Sequence, residues 1–311
     1  MWLERIKRIP MEDRIRVGAG GFGTVFKIKE TDGNILAIKI VRGYASIDDF
    51  NIEVHSLDRE YRTIANLGFH NRIIKIFNVV RDYQNTEAIL IMEFLPGGSL
   101  ADRIVKNGKI EMCSTLKIVT QLCEAVEFLH QNNIFHSDIK PSNIMFTAEN
   151  NIKLCDFGIA VHLQTLVTNQ SSKRAGDNFY MSPERINGEH RSVENDIWSV
   201  GATFIKMVTG EVLNSTDGPI KGPLNISQYN LTYGGKSQEE MLASFPNDYS
   251  SVIKLIISKT LVQKPFRANA KDLLNLCNTI WKTLQTSATT EYSVFVYNGH
   301  CTVLDTSNEY E

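Results

Sequence analysis

Three short strings, which follow one another in a fixed order, constrain this chain more than any other feature. They are His136-Ser137-Asp138-Ile139-Lys140-Pro141-Ser142-Asn143, then Asp156-Phe157-Gly158, and then Ser182-Pro183-Glu184. The first supplies a carboxylate, a lysine and an amide within one loop, and the second supplies another carboxylate beside a flexible glycine. Such oxygens are ligands that Mg²⁺ accepts together with phosphate oxygens. The strings therefore predict a site for magnesium and the terminal phosphates of a nucleotide beside a hydroxyl nucleophile.

A glycine-rich segment near the start of the chain is a second candidate for phosphate contact. It reads Gly18-Ala19-Gly20-Gly21-Phe22-Gly23-Thr24-Val25 and is preceded by Val17. Glycines let backbone N–H groups approach phosphates without side-chain collision. Alone the pattern is weak, because a structural turn can have the same sequence. Strand-like runs lie on both sides of it, unlike the strand-to-helix setting of a dinucleotide fold, and Ala37-Ile38-Lys39 follows on the next run.

Lys39 stands out because it is a cation among Ile and Ala on an apolar, strand-like run. It is either a surface lysine at an edge or a buried ammonium, which needs a carboxylate partner. Glu60 is the favoured partner, since Ile64 and Leu67 follow it at helical spacing. Glu53 stays the competitor, although the residues after it lack that pattern.

The chain changes character near Pro96-Gly97-Gly98. Before this break the pattern predicts strands at residues 14–18, 24–29, 35–41, 73–80 and 87–94 and a helix at 52–67. After it, the pattern predicts helices at 114–132, 196–209, 250–262 and 270–284, with a polar, loop-like stretch at 211–247. We therefore divide the chain into residues 1–94, residues 95–284 and a tail at 285–311.

The tail carries two strand-like runs around Asn298-Gly299, which predicts a β-hairpin over residues 291–304 on a type I′ turn. A lone hairpin is marginal in water and should dock on another element. A frayed tail with a chance Asn-Gly is the alternative.

Composition and net charge restrict the classes of partner that this chain is expected to bind. There are 33 Lys and Arg against 35 Asp and Glu, a net charge of −2, which gives no electrostatic footprint for nucleic acid or an anionic membrane. No apolar run approaches the ~18 residues that cross a bilayer, and the charged N-terminus is not a signal peptide. The 5 cysteines are unclustered, which favours reduced thiols. We predict a cytoplasmic protein without a membrane span and without a nucleic-acid partner.

Taken together, the strings resemble the eukaryotic protein kinase superfamily over about residues 14–284. The resemblance implies an α+β, two-lobed protein kinase fold. Its N-lobe would be small and β-rich with one main helix, and its C-lobe would be larger and mainly α-helical. The resemblance also implies ATP and Mg²⁺ as cofactors and a protein hydroxyl as the phosphate acceptor.

The resemblance assigns catalytic and metal-binding roles by position. Lys39 would hold the α- and β-phosphates, and Glu60 would orient Lys39. Asp138 would accept the proton of the substrate hydroxyl, and Lys140 would neutralise the transferring phosphoryl group. The implied magnesium ligands are Asn143 and Asp156.

Nucleotide contacts and two structural pairs follow from the same resemblance. The implied nucleotide contacts are Val17, Gly18, Ala19, Gly20, Gly21, Phe22, Gly23, Val25, Ala37, Lys39, Met92, Glu93 and Leu95. Among them Met92 would be the gatekeeper, and Glu93 and Leu95 would offer hinge backbone groups to adenine. Glu184 would pair with Arg267, while Asp196 would anchor the catalytic loop.

The string Lys140-Pro141-Ser142-Asn143 is similar to the serine/threonine class. The strings around it, including Tyr180-Met181-Ser182-Pro183-Glu184, look most like mitogen-activated protein kinase kinase kinases. The partner would then be a protein substrate, with a downstream kinase of a cascade as one candidate. A nucleotide-binding pseudokinase that acts as a scaffold or allosteric partner is the alternative, and Ser182-Pro183-Glu184 disfavours a small-molecule kinase. The sequence does not predict the oligomeric state.

Two positions depart from the family pattern. Ser137 stands where the catalytic loop usually carries arginine, and serine cannot form a charge-assisted bidentate contact with phosphate. We therefore expect phosphorylation at Thr165, Thr168, Ser171 or Ser172 not to switch activity through this position. Asp177 stands where threonine is usual, and it either adds like-charge repulsion near Asp138 and Asp156 or pairs with Lys140.

Overall fold

The structure is a computed structural model of the 311-residue chain. It describes residues 2–20, 23–42, 47–162, 177, 179–210, 250–286, 292–297 and 300–305. The chain forms two compact units, one of Met1–Gly98 with Met145–Ala160 and one of Ser99–Ile144 with Val161–Glu311. The four predicted phosphorylation positions between 165 and 172, together with Gly21 and Phe22, lie outside the described residues.

The first unit is built around a five-stranded antiparallel sheet. A short helix, α1 (Trp2–Lys7), precedes the strands. The strands are β1 (Ile15–Gly20), β2 (Gly23–Lys29), β3 (Ile35–Arg42), β4 (Ile76–Asp82) and β5 (Glu87–Glu93), in the order β1-β2-β3-β5-β4. The long helix α2 (Ile47–Leu67) connects β3 to β4. It begins before the predicted residue 52 because Phe50 and Val54 extend its buried face by a turn.

The two faces of the sheet have different neighbours, because side chains alternate along a strand. Ile38 and Ile40 of β3 point to one face, where they join a buried cluster with Ile6 and Ile9 of the N-terminal residues. Lys39 lies between them in the strand and points to the opposite face, where it meets α2. The N-terminal residues thus pack on one face of the sheet, and α2 contacts the face that carries Lys39.

Two later strands contribute to the first unit, although Ile144 at the start of the first of them groups with the second unit. The strands β7 (Ile144–Phe146) and β8 (Ile152–Leu154) pair with each other. Leu154 forms a parallel bridge with Ile73, and its carbonyl accepts the N–H of Ile74 at 3.1 Å. These backbone bonds explain why residues 145–160 group with the sheet rather than with the helices that precede them in the chain.

The second unit is mainly helical. Its helices are α3 (Leu100–Asn107), α4 (Met112–Gln131), α5 (Pro183–Ile186), α6 (Val193–Thr209), α7 (Ser251–Thr260) and α8 (Ala270–Thr286). Ser99 begins α3 with a capping box to Asp102. The apolar α6 is almost wholly buried and ends at Gly210, whose φ of 77° suits a glycine. Two short strands, β6 (Ile134–Phe135) and β9 (Val161–His162), pair with each other.

The tail contains two antiparallel strands, β10 (Tyr292–Tyr297) and β11 (His300–Asp305), with Tyr297 opposite His300. The predicted turn residues Asn298 and Gly299 lie outside the described residues. The strand β11 runs beside α4, so this pair of strands has a neighbour within the second unit.

The cysteines differ from the prediction at one position. Cys123, Cys155 and Cys277 are free and buried, whereas Cys113 in the first turn of α4 is disulfide-bonded. The prediction of reduced thiols throughout is therefore wrong for Cys113, because spacing along the chain does not reveal which cysteines meet in space. Among the helices in the described ranges, none is long and apolar enough to cross a membrane.

Candidate active site

Lys39 of β3 lies among carboxylates in the first unit, as the sequence predicts. Its Nζ lies 3.5 Å from Oε2 of Glu60 and 3.7 Å from Oδ1 of Asp156. The side chains of Lys39 and Glu60 are only 13% and 4% exposed, so the pair is largely removed from water. The partner is Glu60 of α2, which the sequence favours. A buried ammonium held between two carboxylates is suited to bridging phosphate groups.

Burial and charge act in opposite directions on this cluster. Burial alone would lower the pKa of Lys39, but the charges of Glu60 and Asp156 raise it above the ordinary value. Burial raises the pKa of Glu60, and the Lys39 ammonium offsets part of that effect. Lys39 is therefore charged at neutral pH, which is the form that attracts phosphate.

Four of the predicted nucleotide contacts share the Lys39 face of the sheet. Ala37 is two residues from Lys39 and so points the same way. Val25 of β2 lies opposite Lys39, and Met92 of β5 lies opposite Ala37, which places both on that face. The face thus carries small and apolar side chains next to the Lys39 ammonium, a surface that suits a flat ring with a phosphate tail.

The glycine-rich segment forms the end of the β1–β2 strand pair. Gly18 lies opposite Val25, and Gly20 lies opposite Gly23. A Cβ on Gly23 would lie 2.6 Å from the carbonyl oxygen of Ile40, and its φ of +123° also requires glycine. The strands that the sequence predicts on both sides of this segment are therefore present, and Gly21 and Phe22 lie outside the described residues.

Glu93, the predicted hinge residue, is fixed by a partly buried ion pair that the sequence analysis missed. Nζ of Lys153 in β8 lies 2.6 Å from Oε1 of Glu93, and the same oxygen accepts the N–H of Lys75 at 2.7 Å. Nζ of Lys153 also donates to the carbonyl of Ile73 at 3.3 Å. Lys153 sits between Ile152 and Leu154 on an apolar strand. The signal that identified Lys39 could therefore have identified Lys153 as well.

Asp156 follows β8 in a strained conformation. Its φ of 65° is unusual for a residue with a side chain. The N–H of Phe157 donates to Oε1 of Glu60 at 3.2 Å, and Arg59 donates to the carbonyl of Gly158 at 2.9 Å. These bonds from α2 hold the Asp156-Phe157-Gly158 string against the helix that carries Glu60. The left-handed backbone is thus maintained by specific contacts.

In the second unit, Asp138 is the centre of a polar cluster. Its Oδ2 lies 2.9 Å from Nζ of Lys140 and accepts a hydrogen bond from Nδ2 of Asn143 at 2.9 Å. Asn143 also donates to the backbone carbonyl of Asp138 at 2.8 Å. The predicted carboxylate, lysine and amide therefore converge within one loop. The contacts orient the Asp138 carboxylate, which is what a proton acceptor in phosphoryl transfer requires.

Asp196 of α6 anchors this loop, as predicted. The N–H groups of His136 and Ser137 donate to its two oxygens at 2.9 and 2.8 Å, and Nε2 of His130 lies 3.0 Å from Oδ2. Burial would raise the pKa of Asp196, but the hydrogen bond and charge of His130 lower it below the ordinary value. The anchor also maintains Ser137 at a φ of 66°.

Asp177 contacts Asp138 through its backbone rather than through its carboxylate. Its N–H donates to Oδ1 of Asp138 at 3.3 Å, and its own Oδ1 accepts the N–H of Phe179 at 3.1 Å. Lys140 pairs with Asp138 in the structure. Burial and then the charge of Asp177 raise the pKa of the Tyr180 hydroxyl.

Glu184 of α5 pairs with Arg267, which the sequence also predicts. Nη2 of Arg267 donates to Oε2 of Glu184 at 2.9 Å, and Nη1 contacts Oε1. Nδ2 of Asn195 donates to the same carboxylate at 2.7 Å. The guanidinium lies over the ring of Trp198, with 4.9 Å between Cζ and the ring centroid.

The two predicted magnesium ligands have donor atoms that fit the ion. The amide nitrogen of Asn143 donates to Asp138, and its oxygen, which accepts a long hydrogen bond from Oγ of Ser142 at 3.4 Å, is the group that suits a hard cation. The described contacts of Asp156 to Lys39 and to the N–H of Gly158 both use Oδ1. Its Oδ2 has none of the hydrogen bonds seen in the described ranges.

Comparison with known proteins shows the family of this chain. The chain matches the family described as Protein kinase domain over residues 11–276. It is 35% identical over 196 residues to the human Mitogen-activated protein kinase kinase kinase 3, a match that covers 62% of this chain and 31% of that one. It is 34% identical over 200 residues to Mitogen-activated protein kinase kinase kinase ANP1 of Arabidopsis thaliana, covering 63% and 30%.

A third relative is named a MAP kinase kinase rather than a kinase kinase kinase. MAP kinase kinase MKK1/SSP32 of Saccharomyces cerevisiae is 31% identical over 232 residues, which cover 71% of this chain and 43% of that one. The match to the first relatives spans about a third of their length. The chain belongs to the protein kinase family, and it is similar to serine/threonine kinases of mitogen-activated cascades.

Proposed function

We propose that this chain is a serine/threonine protein kinase, which transfers the γ-phosphate of magnesium-bound ATP to a protein hydroxyl. The observation that carries the proposal is the position of the Lys39 ammonium between Glu60 and Asp156. Desolvation of an ammonium and its carboxylate partners is costly even when they are paired, and phosphate binding by Lys39 gives a functional reason for such a cluster.

The proposed roles follow from the residues of each unit. Lys39 attracts the α- and β-phosphates, and Glu60 keeps it oriented. Asp138, held by Lys140 and Asn143, accepts the proton of the attacking hydroxyl, which raises the nucleophilicity of its oxygen. Magnesium, which Asn143 and Asp156 would hold, neutralises charge on the phosphate oxygens when it is bound.

We also propose a class of protein substrate and a cellular location. The names of the relatives place them in mitogen-activated kinase cascades, and a downstream kinase is therefore a reasonable protein substrate. Serine or threonine is the expected acceptor because Lys140 follows Asp138 by two residues in the pattern of that class. We expect the enzyme to act in the cytoplasm.

The alternative is a pseudokinase that binds nucleotide and acts as a scaffold. Ser137 and Asp177 are the two positions that favour it. The retained Lys39, Asp138 and Asp156 favour the enzyme.

Transfer of labelled γ-phosphate from ATP decides between the two. The full chain is incubated with magnesium, ATP and a panel that includes a catalytically inactive MAP kinase kinase. We expect label on serine or threonine, and its loss when EDTA is added. Binding of ADP without transfer to any substrate would support the scaffold. Absence of ADP binding would overturn both proposals.

Lys153→Met is expected to raise KM for ATP by about tenfold with a smaller change in kcat. The substitution removes the ion pair that fixes Glu93, and Glu93 is the proposed hinge contact of adenine. Steady-state kinetics at varied ATP measures the effect. Lys153→Arg should retain most of the affinity, and the exposed Lys106→Met serves as the matched control. An unchanged KM in Lys153→Met would contradict a positioning role.

Asp177→Thr is expected to raise turnover on a protein substrate by about two- to tenfold. The substitution removes the negative charge of Asp177, a residue whose backbone N–H contacts the Asp138 carboxylate. Threonine retains a side-chain oxygen that can accept the N–H of Phe179. Turnover at saturating ATP is the measurement. Unchanged or lower turnover would count against an inhibitory effect of the Asp177 charge.

A further inference from the structure

The first residues of the chain are used by none of the proposed roles, yet they are built into the first unit. The family match begins at residue 11, so residues 2–9, here called the N-terminal segment, lie before it. Within this segment Ile6 is 2% exposed and Ile9 is 8% exposed. Burial of this extent in so short a segment indicates a docked structural part rather than a loose end.

The apolar side of the N-terminal segment packs behind Lys39. Ile6 and Ile9 share a buried cluster with Ile38 and Ile40, which are the two neighbours of Lys39 in β3. Trp2 and Leu3 pack against the same cluster, as do the partly buried side chains Phe26, Phe77 and Val80. The segment therefore packs on the face of β3 opposite to the face on which Lys39 lies.

Charged side chains fasten the segment at two points of the sheet. Arg5 pairs with Glu30 after β2 at 2.7 Å, and Lys7 pairs with Asp82 of β4 at 2.8 Å. Both carboxylates are buried, with side chains 8% and 4% exposed, whereas both cations are about 40% exposed. Removal of the cations would leave two buried carboxylates with fewer partners, so the ion pairs favour the docked segment.

Arg14 makes a third contact, at the C-terminal end of α1. Arg14 donates from Nη2 to the carbonyls of Ile6 and Ile9 at 2.9 and 3.0 Å. The Ile6 carbonyl lies in the last turn of α1 and also accepts the N–H of Ile9 at 3.1 Å, and the Ile9 carbonyl follows the helix. The segment is thus held by its apolar face, by its charges and by its backbone.

The geometry around Lys39 makes the position of β3 important. Its distances of 3.5 Å to Glu60 and 3.7 Å to Asp156 are near the outer limit of an ion pair. Both carboxylates come from other elements, α2 and the residue after β8. A small displacement of β3 would therefore weaken both contacts at once.

We propose that the N-terminal segment is an intrachain positioning element for the nucleotide site, which holds β3, and with it Lys39, at the distance that phosphate binding requires. Release of the segment lowers nucleotide affinity without removing any group that contacts the nucleotide. The inference rests on the proposed function, because it assigns nucleotide binding to Lys39.

Two variants of the full chain test the inference. Ile6→Ala removes apolar contact, and Arg5→Gln/Lys7→Gln removes both ion pairs but retains the apolar face, so it stays informative should Ile6→Ala fail to fold. Calorimetric titration with magnesium and ADP, well below the melting temperature, measures Kd. We expect each variant to weaken ADP binding by about three- to tenfold.

Controls separate positioning from general loss of stability. Lys29→Gln removes one exposed charge from β2, and Ile280→Ala weakens the core of the second unit. Both should leave Kd for ADP unchanged within about twofold. If Ile280→Ala weakens binding as much as the segment variants, or if the segment variants leave Kd unchanged, the inference is overturned.

A double-mutant cycle shows whether the effect passes through Lys39. Lys39→Met should itself weaken ADP binding, and in that background Arg5→Gln/Lys7→Gln should change Kd by less than about twofold. Additive losses would mean that the segment acts elsewhere and would overturn the inference. Normal ADP binding by Lys39→Met alone would instead overturn the proposed function, so the two failures are distinguishable.

Discussion

Replacement of Asp138 by asparagine is expected to lower kcat for phosphoryl transfer by about 10²- to 10⁴-fold. Asparagine has nearly the same size, so the loop should keep its shape, but the amide cannot accept the proton of the attacking hydroxyl. Binding of ADP should change by less than about threefold, because the proposed contacts with the α- and β-phosphates come from Lys39. Single-turnover transfer and ADP titration measure the two quantities.

The contacts of Asp138 explain why the loss should appear in kcat rather than in binding. Its carboxylate is oriented by Lys140 and Asn143 within one short loop. Asp13→Asn, at an exposed position of the first unit, is the matched control and should leave kcat unchanged. Equal label in the parent and Asp138→Asn preparations would point to a contaminating kinase or to a chain that does not catalyse the transfer.

The parts of the site that were predictable are those encoded within short stretches or by a signature spacing. Asp138, Lys140 and Asn143 lie within six residues, so a loop brings them together whatever surrounds it. The pair of Lys39 and Glu60 could be predicted because an apolar strand cannot carry an unpaired cation. The helical spacing after Glu60 then favoured it over its competitor.

The missed parts depend on contacts between elements that are distant in sequence. Lys153 showed the same signal as Lys39, but its partner Glu93 is 60 residues away and was already assigned to adenine. The helix α1 has six residues, which is too short for an amphipathic period to appear. Its burial depends on the sheet of residues 15–93, which no local pattern reveals.

Asp177 illustrates how an identified residue can act through an atom that the sequence does not suggest. A carboxylate near Asp138 suggests repulsion or a pair with Lys140, because side-chain charge is the visible property. The contact that forms uses the backbone N–H of Asp177, while its carboxylate caps the N–H of Phe179. Asp and Asn side chains often close such turns on their own backbone, so local hydrogen bonding prevailed over distant charge.

Arg267→Ala is expected to lower the free energy of unfolding by about 3–5 kcal/mol at neutral pH. The Arg267 side chain is 1% exposed, and besides Glu184 it donates to the carbonyls of Val262 at 2.7 Å and Glu194 at 3.0 Å. Its removal leaves the Glu184 carboxylate in a buried position, with only the neutral side chains of Asn195 and Ser182 as hydrogen-bond partners among the described contacts. Urea unfolding measures the loss, and the exposed Arg62→Ala should change stability by less than about 0.5 kcal/mol.

The pH dependence of this loss identifies the stranded charge as its cause. Burial would raise the pKa of Glu184, but the hydrogen bond and charge of Arg267 lower it below the ordinary value. In the parent, the contribution of Glu184 is therefore full above the ordinary carboxyl pKa and fades as pH falls below it. Without Arg267, burial raises that pKa, so the variant loses stability as pH rises through the ordinary value and beyond. The deficit should grow with pH and then level off, and Glu184→Gln in the Arg267→Ala background should recover part of it. A deficit that is the same at every pH, or no recovery in the double variant, would show that lost packing against Trp198 dominates instead.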